Sequence, residues 1–180
     1  MSRLSIMSDY IIRDARVEDC SEIFLMLKEL HEHLKVLDHM TLEEEALKND
    51  GFGEDKFFQC IVAEEKPSGE DKPALVGYLL YFWAYTTSAG RMMVVQDFYV
   101  RQTYRTQGTG SALWAHATKV ALEKGCRKVE WIVHDWNVQA IKFYKKLGGV
   151  DMSKGEGWLV YRLDVNAMRS VVATDTVNKQ

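Results

Sequence analysis

The chain of 180 residues is 47% hydrophobic and 11% aromatic, enough to close one core of ordinary domain size and too short for a second. A formal net charge of −3 leaves no basic excess for neutralising phosphates, which excludes a general nucleic-acid binder. Cys20, Cys60 and Cys126 are too few and too scattered for a disulfide framework or a zinc site, and no run of about 18 apolar residues offers a membrane span, so a soluble, cytoplasmic protein without metal is expected.

Residues 1–9 lack the apolar centre of a signal peptide and read as an N-terminal extension. Tyr10 to Arg13 makes a first strand. From Asp14 or Val17 to Leu30 a 3.6-residue period through Ile23, Leu27 and Leu30 predicts an amphipathic helix. His31, His33 and His39 follow, but HEH sets its two imidazoles on different sides of a helix, unlike the HExxH spacing that lets two ligands converge. Thr41 with Glu44 has the pattern of a capping box and predicts a second helix, Leu42 to Lys48, ending at Asp50-Gly51. Phe58 to Glu64, Leu75 to Tyr85 and Arg91 to Val100 read as strands of an antiparallel meander.

The third of these strands runs into Arg105-Thr106-Gln107-Gly108-Thr109-Gly110. From Ser111 to Lys124 the pattern turns helical through Leu113, Ala117, Val120 and Ala121. The first turn of a helix leaves N–H groups without intrahelical partners, and glycine lets an anion approach the backbone, so such a turn can seat a phosphate. A strand-to-helix turn that uses glycine only for backbone freedom has the same composition. The loop is not GxxxxGK[ST], and Leu113 stands where GxGxxG needs a third small residue. Lys128 to His134 is the next strand, parallel to the one before the loop because a helix joins them. Asn137 opens a helix through Ala140, Ile141 and Tyr144 to Gly148-Gly149. Val150 to Ser153 and Gly157 to Leu163 read as two last strands. Residues 166–180 lose periodicity and are expected to form a mobile C-terminal tail.

The loop resembles that of the N-acetyltransferases of the GNAT superfamily, which runs Arg or Gln, any two, Gly, any one, Gly or Ala. DGFGEDKFFQCIVAEE with Glu54 lies before it, and HDWNVQAIKFYKKLG and EGW at Glu156 to Trp158 follow. Together they are similar to the spermidine/spermine and thialysine N-acetyltransferases, from about Tyr10 to Leu163. The resemblance implies an α/β (α+β) single domain over residues 10–165. It is expected to hold a mixed, mostly antiparallel sheet of six to seven strands flanked by four helices, with splayed central strands at the cofactor site. It also implies acetyl transfer from acetyl-CoA to the primary amine of a small molecule, a diamine, polyamine or thialysine-like amino acid, and a homodimer; a non-catalytic acyl-CoA-binding regulatory protein and a protein-substrate acetyltransferase of the same fold are the alternatives.

For the site, the resemblance implies that the pyrophosphate of acetyl-CoA lies on the backbone of Thr106, Gln107, Gly108, Thr109, Gly110 and Ser111, with Arg105 opening the motif. The pantetheine arm would run beside Phe98, Tyr99 and Val100 as an added strand does. Asn137, followed by Val138 and Gln139, corresponds to the asparagine that holds the arm; its position suits a plain N-cap equally well. Tyr144 is the expected general acid, since a phenol is protonated at neutral pH and can donate to a departing thiolate.

The acceptor side departs from the pattern. A primary ammonium with pKa about 10.4 is neutral to roughly one part in two or three thousand at pH 7, so its deprotonation needs help. The polyamine enzymes carry a Glu before the aspartate of the central strand to relay that proton. This chain has Gln96, which cannot take a proton. Asp97 follows, but strict alternation along a strand would turn it to the opposite face. The family's aromatic-acidic pair after the first helix corresponds to His33-Leu34, of which His33 is a base by type. Glu156 matches the acidic residue that holds the substrate amine. With fewer carboxylates in the acceptor groove, a long polycation loses attraction and a smaller amine, such as a thialysine-like or lysine-like amino acid, is favoured.

Overall fold

The computed structural model describes residues 10–66, 73–153 and 162–177. The chain divides into two compact units, Met1–Ile132 and Val133–Gln180. Among the described residues no helix is long and apolar enough to cross a membrane.

The first unit is built on one sheet of β1 (Tyr10–Asp14), β2 (Gln59–Glu65), β3 (Leu75–Thr86), β4 (Gly90–Val100) and β5 (Lys128–Trp131), in the order β1-β2-β3-β4-β5. The first four are antiparallel neighbours, and β5 lies parallel to β4, as the helix between them requires. The sheet therefore has five strands among the described residues rather than the six or seven expected. β5 also stops three residues before His134.

Helix α1 (Cys20–His33) starts later than its periodicity suggests, because Asp19 is already committed. Its carboxylate accepts from the Arg16 N–H at 2.7 Å and from Arg13 at 2.7 Å, which fixes a short 3-10 turn ahead of the helix. Ile23, Met26, Leu27 and Leu30 line its inner face and pack on Cys60, Val62, Tyr78, Leu80 and Tyr99 of the sheet. Each such side chain contributes about 1.5–3 kcal/mol by leaving water. Helix α2 (Glu44–Phe52) begins two residues after Leu42, with Glu43 at the N-cap and no side-chain cap. The expected Thr41–Glu44 box is absent there. Glu44 instead accepts from the Ser21 hydroxyl at 2.5 Å, which turns its carboxylate towards α1.

Helix α3 (Thr109–Glu123) buries Leu113, Trp114, Ala117 and Ala121. It covers the opposite face from α1, since Gly77 and Phe98, which it approaches, alternate with Tyr78 and Tyr99 along β3 and β4. A Cβ at Gly77 would stand 2.8 Å from the Tyr99 carbonyl oxygen and 3.3 Å from Leu113 Cδ1. Only glycine lets β3, the end of β4 and α3 meet this closely.

In the second unit, helix α4 (Val138–Lys146) opens at Asn137, as expected. The strand expected at Val150 to Ser153 does not form. Asp151 accepts from the backbone N–H of Ser153 at 3.0 Å and from its hydroxyl at 2.5 Å, so the segment folds as a local turn. Most of the strand expected at Gly157 to Leu163 lies outside the described residues. Helix α5 (Val165–Val177) occupies the segment read as aperiodic, making five α-helices among the described residues rather than four. The overlooked signal is Asp164, whose carboxylate accepts from Ala167 N–H at 2.8 Å and starts the helix.

Candidate active site

Pairing between β4 and β5 runs from Met92–Lys128 to Val95–Trp131 and stops, while β4 continues to Val100. The register of β4 against β3 shifts at the same place: Val95 pairs with Tyr81 and Asp97 with the preceding residue Leu80, leaving Gln96 as an extra, bulged residue. A bulge increases local twist and bends the strand. Beyond it, among the described residues, no strand pairs with β4 on its β5 side. The backbone of Asp97 to Val100 thus presents an open strand edge, the geometry on which an extended amide-bearing chain can lie.

Phe98 points to the α3 face and makes an edge-to-face contact with Trp114 at 5.9 Å; Trp114 meets Trp131, at the end of β5, at 4.8 Å. These three rings pack in series from β4 through α3 to the end of β5. Such pairs add about 0.5–1.5 kcal/mol each beyond their area.

At the far end of β4, Arg105 Nε donates to the Val100 carbonyl at 2.8 Å, and its guanidinium lies over the Tyr99 ring at 5.3 Å. The residue expected to open the anion motif is therefore what ties the loop to the strand. Arg101 secures the same end to α1, through Glu22 at 2.6 Å and Glu29 at 2.9 Å. In the loop, Thr106 has φ +64°, the Gln107 amide donates to the Thr103 carbonyl at 2.8 Å, and Gly108 has φ +91°. Gly108 is the N-cap of α3, and no side chain caps that helix. Thr109 is buried, its hydroxyl donating to the Tyr104 carbonyl at 3.3 Å, so it faces away from the opening. The N–H groups of Thr109, Gly110 and Ser111 belong to the first turn and carry the positive end of the helix dipole. An uncapped turn entered through a left-handed glycine has the geometry on which an anion can lie.

The acceptor-side residues divide. Gln96 is exposed, while Asp97 is half-buried on the α1 face with Tyr78, Leu80 and Tyr99. Because of the bulge, Val95, which pairs with Tyr81, and Asp97, which pairs with Leu80, face opposite sides, so the simple alternation used to orient Asp97 is interrupted here. Burial pushes the Asp97 carboxyl above its usual range, and His31 opposes that shift. His33 is the exposed last residue of α1; Leu34, its C-cap, packs against the core cluster and serves structure. The bulge at Gln96 is a feature that residue spacing did not supply.

In the second unit, the Asn137 side chain accepts from Ala140 N–H at 3.2 Å, so the N-cap role is real. Val138 and Gln139 are exposed in the first turn of α4. The half-buried Tyr144 stacks edge-on against Phe143 at 5.6 Å, and burial pushes its phenol up to about 12. Glu156 lies outside the described residues.

The family model described as "Acetyltransferase (GNAT) family" matches residues 10–149. Thialysine N-epsilon-acetyltransferase of Sus scrofa is 43% identical over 167 residues, 92% of this chain and 98% of the relative. That of Mus musculus is 44% identical over 162 residues, 89% of this chain and 95% of the relative. Among solved structures, an integron cassette protein from the mobile metagenome of V. cholerae superposes with a TM-score of 0.70 at 21% identity, covering 92% of this chain and 98% of its own. The open strand edge and the uncapped helix thus sit on an acetyltransferase framework, and the chain belongs to the acetyltransferase (GNAT) family and is an N-acetyltransferase.

Proposed function

We propose that this chain transfers the acetyl group of acetyl-CoA to the primary amine of a small molecule, an amino acid of the thialysine or lysine kind or a short diamine. The observation that carries the reading is the uncapped start of α3 at Gly108, φ +91°, beside the end of β4, which among the described residues has no strand partner on its β5 side. The thialysine enzymes that it resembles along most of its length support the acceptor class.

Acetyl-CoA supplies an activated thioester carbonyl. The backbone of Thr106 to Ser111 holds its pyrophosphate, and the edge of Phe98, Tyr99 and Val100 accepts its amide-bearing arm in the manner of a strand. Asn137, with Val138 and Gln139, is assigned to the arm from the family motif, its Oδ1 already serving the helix cap. Positioning of this kind accounts for much of the acceleration in a two-substrate transfer. Tyr144 is the proton donor for the leaving thiolate. Its phenol, held near 12 by burial, remains protonated throughout the physiological range. Glu156 is assigned to the substrate ammonium by the same match, and a homodimer is carried over with it.

A panel of amines incubated with acetyl-CoA, with free-thiol release followed at several pH values, tests the reading. Turnover with thialysine-like amino acids and weaker turnover with spermine is expected. Thiol release that no amine stimulates would contradict it.

A further inference from the structure

The loop assigned to the pyrophosphate contains a left-handed residue that is not glycine, Thr106 at φ +64°. A residue with a Cβ disfavours that conformation and keeps it where surrounding contacts hold it. Three side-chain bonds of the loop are local: Arg105 Nε to the Val100 carbonyl at 2.8 Å, the Gln107 amide to the Thr103 carbonyl at 2.8 Å, and the Thr109 hydroxyl to the Tyr104 carbonyl at 3.3 Å. Among the described residues, the hydrogen bond that carries 102–109 to a strand other than β4 runs from the Tyr104 hydroxyl to the Glu65 carboxylate, at 2.5 Å.

Glu65 ends β2, and its cross-strand partner is Tyr10 of β1. Residues directly opposite in an antiparallel pair turn their side chains to the same face. The Tyr10 hydroxyl reaches to 3.4 Å of the place that a Cβ on Gly108 would take. One cross-strand pair therefore meets both ends of the turn, Glu65 at Tyr104 and Tyr10 at Gly108.

We propose that Glu65, acting through the Tyr104 hydroxyl, is a positioning residue that holds the 104–108 turn in its anion-accepting conformation and so sets the affinity for acetyl-CoA; this rests on the acetyl-transfer reading above. The carboxylate accepts and the phenol donates, a bond to an ionised partner and stronger than one between neutral groups. Tyr104 passes the constraint on. Its side chain is tied to β2 while its carbonyl accepts from Thr109, the buried first residue of α3. A turn released from that tie occupies the binding conformation for part of the time, and the apparent affinity falls by that fraction. The charge of Glu65 acts the other way, since a carboxylate repels a polyphosphate. Tie and repulsion thus predict opposite signs for its removal.

The test uses the full chain, with acetyl-CoA affinity from calorimetry and kcat and KM from thiol release with a thialysine-like amine. S-acetylpantetheine, which lacks the pyrophosphate, serves as a second acetyl donor. Tyr104→Phe should raise Kd and KM for acetyl-CoA about 5- to 10-fold, a competent fraction of about 0.1–0.2, with kcat at saturation and KM for S-acetylpantetheine unchanged. Glu65→Ala should show the same loss, and Glu65→Gln, whose amide oxygen still accepts, a smaller one. The double variant should be no weaker than either single, because both remove one bond. Parent affinity in Tyr104→Phe overturns the proposal, as does tighter acetyl-CoA binding by Glu65→Ala or a multiplied loss in the double variant. An equal loss toward S-acetylpantetheine also overturns it, since that marks a general loosening of the fold. If the unaltered chain binds no acetyl-CoA, the acetyl-transfer reading falls, and the proposal with it.

Discussion

Replacing Gly108 by alanine isolates the backbone conformation at the start of α3. Gly108 sits at φ +91°, and a Cβ built there would meet only the Tyr10 hydroxyl, at 3.4 Å, an ordinary contact. No steric term is added, so the cost is the left-handed backbone strain, about 1–2 kcal/mol for an L-residue. If the fold holds its conformation, urea denaturation should show that loss in full and acetyl-CoA affinity should change little. If the loop relaxes instead, stability returns and affinity falls by about 5- to 30-fold, since about 1.4 kcal/mol is a factor of ten. Either way, the summed change in stability and binding should lie near 1–2 kcal/mol, and Gly108→Asn, which tolerates φ above zero better, should show a smaller sum. Urea melts and calorimetry on the same two variants make the comparison. A Gly108→Ala protein with the stability and acetyl-CoA affinity of the parent would refute both the strain and the seat.

Gly77→Ala should destabilise the fold by about 1–3 kcal/mol, because the obstacle at 2.8 Å is the Tyr99 backbone oxygen and cannot rotate away; unchanged urea midpoints would show that β3 and β4 are not so close. Tyr144→Phe should lower turnover about 10²-fold or more with little effect on acetyl-CoA affinity, and near-normal turnover would remove the proton-donor role. Gln96→Glu should raise kcat/KM for spermidine at neutral pH by supplying a carboxylate at the exposed bulge; an unchanged value would show that the bulge does not face the acceptor.

The features legible in the sequence are those set by local periodicity and by residue type. The alternation of β2 to β4, the glycine turn into α3 and the Asn137 cap all need only neighbouring residues to be recognised. What escaped depends on partners distant in the chain. The Thr41–Glu44 pattern has the right spacing for a capping box, but Ser21, on another helix, takes the Glu44 carboxylate. The Val150 to Ser153 run has strand-like ends, but Asp151 bonds its own backbone two residues on. The bulge at Gln96 exists because β3 and β4 fall out of step, which neither strand announces alone. It also sets Val95 and Asp97 on opposite faces, where strict alternation would put both on one.

The direct measurement is a single reaction: the purified chain, acetyl-CoA and thialysine near pH 8, with free thiol counted by absorbance and the amine product weighed by mass spectrometry. Thiol and N-acetylated amine should appear in equal amounts, at a rate that rises with enzyme and saturates in both substrates. Thiol without acetylated amine, or neither above the enzyme-free control, would contradict the account.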